Sequence, residues 1–290
     1  MPDARLLPVT DRADAHIHLF EGGYRGELLA NLPSTRIDEV AHYESLMRQH
    51  DIRQALVVGY EGEPWCATNN LFLASLIAQS RRPWIRPAAY FDPKELSVDA
   101  LESWRSRGFV GVSLYLFTDA SAAALDSVPQ PVWTWLADHR WLVTVNSRGA
   151  WWSAWQSVLA KNPEIRLIAS HLGQPPAQGA PITLDQARWN MADTLRLSEH
   201  PQVCIKLSGL YALSDPAYDY PHAAAWPYIQ IVLEFFGADR VVWGSDYIPA
   251  LTWLSFPQTI GVLDHLPFLD AISREKIVGG NLNHLLDAVG

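Results

Sequence analysis

The sequence predicts an eight-fold (β/α) barrel, and three observations carry that expectation. Short β-branched or aromatic runs alternate with helical stretches from end to end, the pattern of βα units around a parallel sheet. At 290 residues the chain falls in the size range that α/β barrels occupy as one domain. No internal repeat, linker or low-complexity tract interrupts the series, so residues 1–290 are expected to form a single domain.

The eight strands are expected at 12–18, 53–60, 84–91, 108–116, 141–146, 165–171, 202–208 and 240–246. The first runs through Arg12-Ala13-Asp14-Ala15 into His16-Ile17-His18. Period-two alternation puts both of its imidazoles on one face, about 6 to 7 Å apart along the strand. Helices are expected at Asp38 to His50, Thr68 to Ser80, Asp99 to Arg107, Pro131 to Arg140 and Trp151 to Lys161, and further at Thr183 to Glu199, Ala224 to Phe236 and Ser273 to Ala288. Thr183 three residues before Gln186 reads as a capping box.

Composition narrows the function. With 49% hydrophobic and 18% charged residues the chain is globular rather than disordered or fibrous. A formal charge of −9, with no basic cluster beyond Arg81-Arg82, excludes a nucleic-acid surface and points to small-molecule partners. Cys66 and Cys204 stand far apart beside apolar residues, which argues against a disulfide and fits a reducing cytoplasm. The first ten residues lack the apolar core of a signal peptide, and no apolar run approaches the ~20 residues of a membrane span. A cytoplasmic protein without a membrane partner is therefore expected, with homo-oligomerisation left open.

In such barrels the chemistry sits at the carboxyl ends of the strands. Here those ends are polar: His16 and His18 on the first strand, Ser113 and Tyr115 on the fourth, Asn146 on the fifth, His171 on the sixth, Ser208 on the seventh and Asp246 on the eighth. The amino ends carry Arg53, Arg166 and Arg240, which read as solvated rims. A carboxylate emerging from a buried strand needs a positive partner or a metal to stay ionised. Three histidines and one aspartate at these positions suit a site in which Asp246 takes a proton from water and the imidazoles bind a metal or polarise a carbonyl.

These residues also carry a resemblance. Asp14-Ala15-His16-Ile17-His18, Ser170-His171-Leu172-Gly173-Gln174-Pro175, Lys206-Leu207-Ser208-Gly209-Leu210, Trp243-Gly244-Ser245-Asp246-Tyr247 and Gly279-Gly280-Asn281 look like successive signatures of the amidohydrolase superfamily, in its amidohydrolase-2 branch. The resemblance spans nearly the whole chain and is closest to barrel hydrolases that act as lactonases, such as sugar-acid lactonases and pyrone dicarboxylate hydrolase. It implies hydrolysis of a cyclic ester, with Asp246 and His171 catalytic and with His16, His18, His171 and Asp246 holding a divalent metal, zinc. Some relatives carry zinc and some work without metal.

Three departures refine that expectation. No strand-end lysine is evident to bridge a second ion, so the site is expected to be mononuclear. Val145-Asn146-Ser147 stands where the branch's decarboxylases offer a histidine ligand, and a neutral amide is a poor one, which disfavours a zinc-dependent decarboxylase. Ser170 replaces an acidic residue and is expected to alter the shell that orients His171.

The candidate substrate-binding set is Arg148, Asn146, Tyr115, Trp65, Tyr211 and Arg25. Thirteen tryptophans, among them Trp65, Trp151, Trp152 and Trp253 after strand ends, offer an apolar or sugar-stacking wall as the alternative to core packing. Arg25 and Arg148 are placed to hold a carboxylate, and the stretch from Ser214 to His222 has the composition of an ordered lid. With few arginines in the loops, a neutral or singly charged lactone is favoured over a dicarboxylate. Two readings stand beside it: the decarboxylase, and a non-catalytic barrel that binds a small molecule.

Overall fold

The computed structural model describes residues 11–26, 37–79 and 82–290. Eight strands appear in the expected order: β1 (Arg12–Ile17), β2 (Ile52–Val58), β3 (Ile85–Tyr90), β4 (Gly111–Leu116), β5 (Leu142–Ser147), β6 (Arg166–Ala169), β7 (Cys204–Leu207) and β8 (Val241–Trp243). They form one sheet in which each strand pairs in parallel with the next. The ring closes between its ends through a parallel bridge from Ile17 to Tyr247. Two backbone hydrogen bonds flank that bridge, Asp246 N–H to His16 O at 2.9 Å and His18 N–H to Tyr247 O at 2.5 Å. The fold is a (β/α)8 barrel.

Strand alternation sorts the side chains. Leu56, Ala88, Leu142, Ile168, Cys204 and Val242 form one buried cluster with Leu282 and Leu286 of the last helix. The opposite strand faces, including Val57, Val112, Val143 and Ile205, join the larger cluster under the surrounding helices. On β5 the period of two carries the Leu142 face on to Thr144 and Asn146, and on β7 it carries Cys204 on to Lys206 and Ser208. The barrel lumen is thus apolar at its base and polar toward the carboxyl ends, as layered filling of such barrels requires.

Most helices lie where they were expected, and the differences have local causes. The helix beginning at Thr183 keeps its capping box, Thr183 and Gln186 bonding reciprocally, but it breaks at Met191 into Leu184–Asn190, Ala192–Leu195 and a 3-10 turn at Arg196–Glu199. The last expected helix is interrupted by a π-turn at Lys276–Gly280. A Cβ on Gly279 would sit 2.5 Å from Asp11 O, so glycine lets this turn press against the start of β1. Ser80 and Arg81 lie outside the described residues, as do residues 1–10.

The amino-end arginines are not all rims. Arg166 is buried and donates to the backbone carbonyls of Arg140 and Leu285. Arg240 holds Phe236 O, Ser198 O and His200 O. Both tie backbone ends together beneath the barrel, whereas Arg53 stays half exposed. Cys66 and Cys204 are buried and unpaired.

Candidate active site

A register shift between Asp14 and Ile17 marks an irregularity in β1 at the point where its histidines reach the lumen. Their rings converge further than strand spacing alone predicts: the centroids lie 4.9 Å apart and the two Nε2 atoms 3.1 Å apart. Asp14 fixes this end of the strand. Its Oδ1 accepts from the N–H groups of His16 (3.1 Å) and Ser245 (2.8 Å), and its Oδ2 accepts from Tyr43 OH at 2.9 Å. One carboxylate therefore joins β1 to the segment after β8.

Asp246, in the left-handed backbone region at φ 57°, faces the histidines from that segment. Its Oδ1 lies 3.7 Å from His16 Nε2 and 4.0 Å from His18 Nε2. Its Oδ2 accepts a hydrogen bond from Tyr211 OH at 2.8 Å. His171 completes the group, its ring centroid 4.5 Å from that of His16 and its Nδ1 3.0 Å from Ser208 Oγ. Close packing demands glycine opposite it: a Cβ on Gly209, at φ 63°, would fall 2.5 Å from His171 Nδ1.

The lumen also holds a lysine. Lys206 is fully buried on β7, where it donates to Thr144 Oγ1 at 2.6 Å and lies 3.1 Å from His16 Nδ1. No lysine was expected at a strand end, and Lys206 sits one residue inside the end of β7, from where it reaches the site from below. Burial lowers its ammonium to about 7, although Asp246 and Asp14 pull the other way. Ser170 and Ser208 serve different histidines. The Ser170 hydroxyl stands 3.4 Å from His16 Nδ1, so it belongs to the surroundings of His16, and Ser208 is the group that orients His171.

Beside His18 opens a cavity of about 450 Å³ lined also by Phe20, Tyr24, Arg25, Tyr60, Trp65 and Tyr115. Phe20 stacks on His18 at 5.7 Å and meets Trp65 edge-on at 4.8 Å, while Tyr60 packs on Tyr115 at 4.7 Å. Asn146 is buried beside Tyr115 in the strand register, and its Nδ2 has no partner among the described residues. An amide N–H so placed is costly unless something accepts from it.

The two candidate arginines do not converge. Arg25 lines the mouth, while Arg148 lines a separate cleft of about 760 Å³ with Trp151, Gln174 and Asn190. There its guanidinium lies 5.8 Å from the Phe117 ring and 5.7 Å from the Trp151 ring. Trp152 is core, fully buried and donating to Gly173 O. The stretch from Ser214 to His222 is pinned by a 3.1 Å contact between Ser214 Oγ and His222 Nδ1, and the mouth is walled by other loops.

A family model described as amidohydrolase matches residues 13–283. The chain belongs to the amidohydrolase family. This amidohydrolase is 32% identical over 132 residues to an L-fucono-1,5-lactonase of Burkholderia ambifaria, a match covering 42% of the chain and 41% of the lactonase. The chain thus aligns with less than half the length of that curated relative. Among solved structures it resembles a zinc-bound amidohydrolase of Burkholderia multivorans, with TM-score 0.76, 19% identity and coverage of 96% of this chain and 99% of the other. It also resembles a probable 2-pyrone-4,6-dicarboxylic acid hydrolase of Acinetobacter baumannii with citric acid bound, with TM-score 0.73, 18% identity and coverage of 96% and 100%. At these identities the structural likeness speaks for the fold.

The amidohydrolase site has the donors that a divalent cation needs. One ligand atom from each of His16, His171 and Asp246 lies within 4.8 Å of the others, and His18 Nε2 adjoins the same carboxylate. Burial holds His18 at about 4 and shifts His16 and His171 downward as well, so the imidazoles are neutral near pH 7, the form that ligates. The carbonyl of Val58 accepts from His18 Nδ1 at 2.7 Å, which leaves Nε2 to face the site. Nitrogen and oxygen donors of this kind suit a divalent metal ion. Among the described residues, no helix is long and apolar enough to cross a membrane.

Proposed function

We propose that this amidohydrolase opens a cyclic ester, a sugar-derived lactone that is neutral or carries a single negative charge, acting in the cytoplasm. The observation that carries the reading is the convergence of His16, His18, His171 and Asp246 beside an aromatic mouth that His18 lines and that contains few charges. A volume of about 450 Å³ suits one small ring compound. The aromatic walls give a sugar ring a stacking surface, and Arg25 and Glu63 give its hydroxyls polar partners. The two buried, unpaired thiols suit a reducing compartment.

Each group then has a task. Tyr211 engages Asp246 Oδ2, which leaves Oδ1 to take the proton of the attacking water. In the metal-free protein His171, held by Ser208 at Nδ1, has its other ring nitrogen to donate to the carbonyl oxygen, where negative charge develops; with a metal bound that nitrogen would be a ligand instead. Asn146 Nδ2 offers its unpartnered N–H to a ring or carbonyl oxygen, with Tyr115 beside it. Trp65 and Arg25 wall the mouth, while Arg148 lies in the separate cleft with Trp151 and Gln174. His16, His18, His171 and Asp246 would hold one zinc ion. When bound, that ion acidifies water and polarises the carbonyl.

The test is acid release from a panel of sugar-acid lactones, L-fucono-1,5-lactone and muconate-type lactones, followed with a pH indicator on protein assayed for metal before and after chelation. Release lost with the metal establishes a metal-assisted lactonase. Release that survives complete metal removal assigns the chemistry to Asp246 and the imidazoles. No release from any lactone overturns the proposal and returns attention to decarboxylation and to simple binding.

A further inference from the structure

Glu39 opens the helix Glu39–His50, a position where a carboxylate ordinarily lies exposed beside the helix dipole. Here it is 4% exposed. Its oxygens turn away from the helix: Oε2 accepts from the N–H of Phe20 at 2.8 Å, and Oε1 from that of Tyr24 at 2.5 Å. Between those residues Gly22 and Gly23 adopt φ of 73° and 88°, and Gly23 N–H donates to Phe20 O at 3.1 Å. The chain folds into a tight turn whose two flanking amides are gathered on one carboxylate.

That turn is a wall of the mouth. Phe20 and Tyr24 each meet Trp65 edge-on, at 4.8 and 5.9 Å, and Phe20 lies against His18. The backbone carbonyl of Glu39 also accepts from Tyr247 OH at 3.0 Å, and Tyr247 follows Asp246. Glu39 is thus bonded both to the wall and to the segment that bears the aspartate, while its own side chain lies outside the cavity lining. Burial pushes its carboxyl up to about 7, so the position carries an electrostatic cost that the two amide bonds partly offset.

We propose that Glu39 is a positioning residue for substrate recognition, which sets the aromatic wall of the mouth by clasping the amides of Phe20 and Tyr24. This inference rests on the mouth being the lactone site. Wild type, Glu39→Gln and Glu39→Ala are compared, as full-length chains, by hydrogen exchange of residues 19–26 and by turnover of L-fucono-1,5-lactone. Glutamine keeps the volume but sets an N–H against one of the two amides.

Exchange in residues 19–26 should accelerate about tenfold in Glu39→Gln, with the strands unchanged, as expected for losing a charge-assisted bond. KM should rise about tenfold while kcat stays within about twofold, the signature of lost ground-state recognition. Unaltered exchange in 19–26, or a fall in kcat at constant KM, overturns the assignment. Should Glu39→Ala fail to fold, the isosteric Glu39→Gln carries the comparison alone. Should wild type open no lactone, the lactonase reading falls and exchange in 19–26 decides the clasp by itself.

Discussion

Tyr211 OH stands 2.8 Å from Asp246 Oδ2 and so divides the two oxygens of the carboxylate between different tasks. Oδ2 is held by the phenol, and Oδ1 is left facing His16 and His18. Burial and the neighbouring Asp246 charge keep the Tyr211 proton in place well above the usual phenol range, so Tyr211 acts as a donor. Tyr211→Phe should lower kcat/KM about tenfold, the worth of one hydrogen bond to a charged group, without changing the circular-dichroism spectrum. An unchanged kcat/KM would deny the phenol any part in aiming the carboxylate.

Asp246→Asn keeps the shape and the ability to accept from Tyr211 but removes the proton acceptor. Turnover should fall by about 10²–10⁴-fold, the contribution of a positioned general base. Steady-state assays at saturating lactone measure it, and near-normal kcat would remove Asp246 from water activation.

Lys206→Met replaces a buried ammonium with an apolar chain of similar length. Denaturant midpoints should move little or rise, because an apolar isostere spares the desolvation of a buried charge. Lactone turnover should drop at least about tenfold, since His16 Nδ1 loses the neighbour that fixes its proton arrangement. Full activity in the methionine variant would reduce Lys206 to packing.

His222 sets an acid limb of stability. It is buried, and burial depresses its imidazole to about 4 against an ordinary value of 6.5, with Asp219 opposing. Between those values the unfolded chain takes up a proton that the folded chain refuses, so this contribution is complete above pH 6.5 and declines as the pH falls toward 4. Glu39 and Asp14, raised to about 7 and about 6, have the opposite slope, losing stability as the pH rises through their windows. The measurement is therefore a difference: between pH 7 and 4.5, His222→Gln should lose less stability in urea than wild type. Parallel pH curves for the two proteins would refute it.

The strand-end residues were legible in the sequence because a barrel sorts function to one end of its strands. His16, His18, His171 and Asp246 could be read there without knowing any contact. Lys206 was not, because it lies within a four-residue strand, and Cys-Ile-Lys-Leu reads as packing until the neighbouring strands bring Thr144 and His16 against it. A charged residue inside an otherwise apolar strand was the available signal. Glu39 stayed hidden for a different reason: a first-turn glutamate satisfies helix rules by itself, and its amide partners lie 15 and 19 residues away. The separation of Arg25, at the mouth, from Arg148, in its own cleft, depends on loop paths that strand patterns do not specify.

The seam between β1 and β8 is made of the backbone of the same residues that face the lumen, with His16 and His18 bonded to Asp246 and Tyr247 across some 230 positions of chain. Loop-closure entropy makes contacts of such sequence separation the slowest to gain. The proton acceptor and its imidazoles therefore do not share a site until the two ends of the chain have met. Recovery of catalysis after dilution from denaturant would thus time the joining of first strand to last, and a chain missing either end would lack one half of the constellation, His16 and His18 or Asp246.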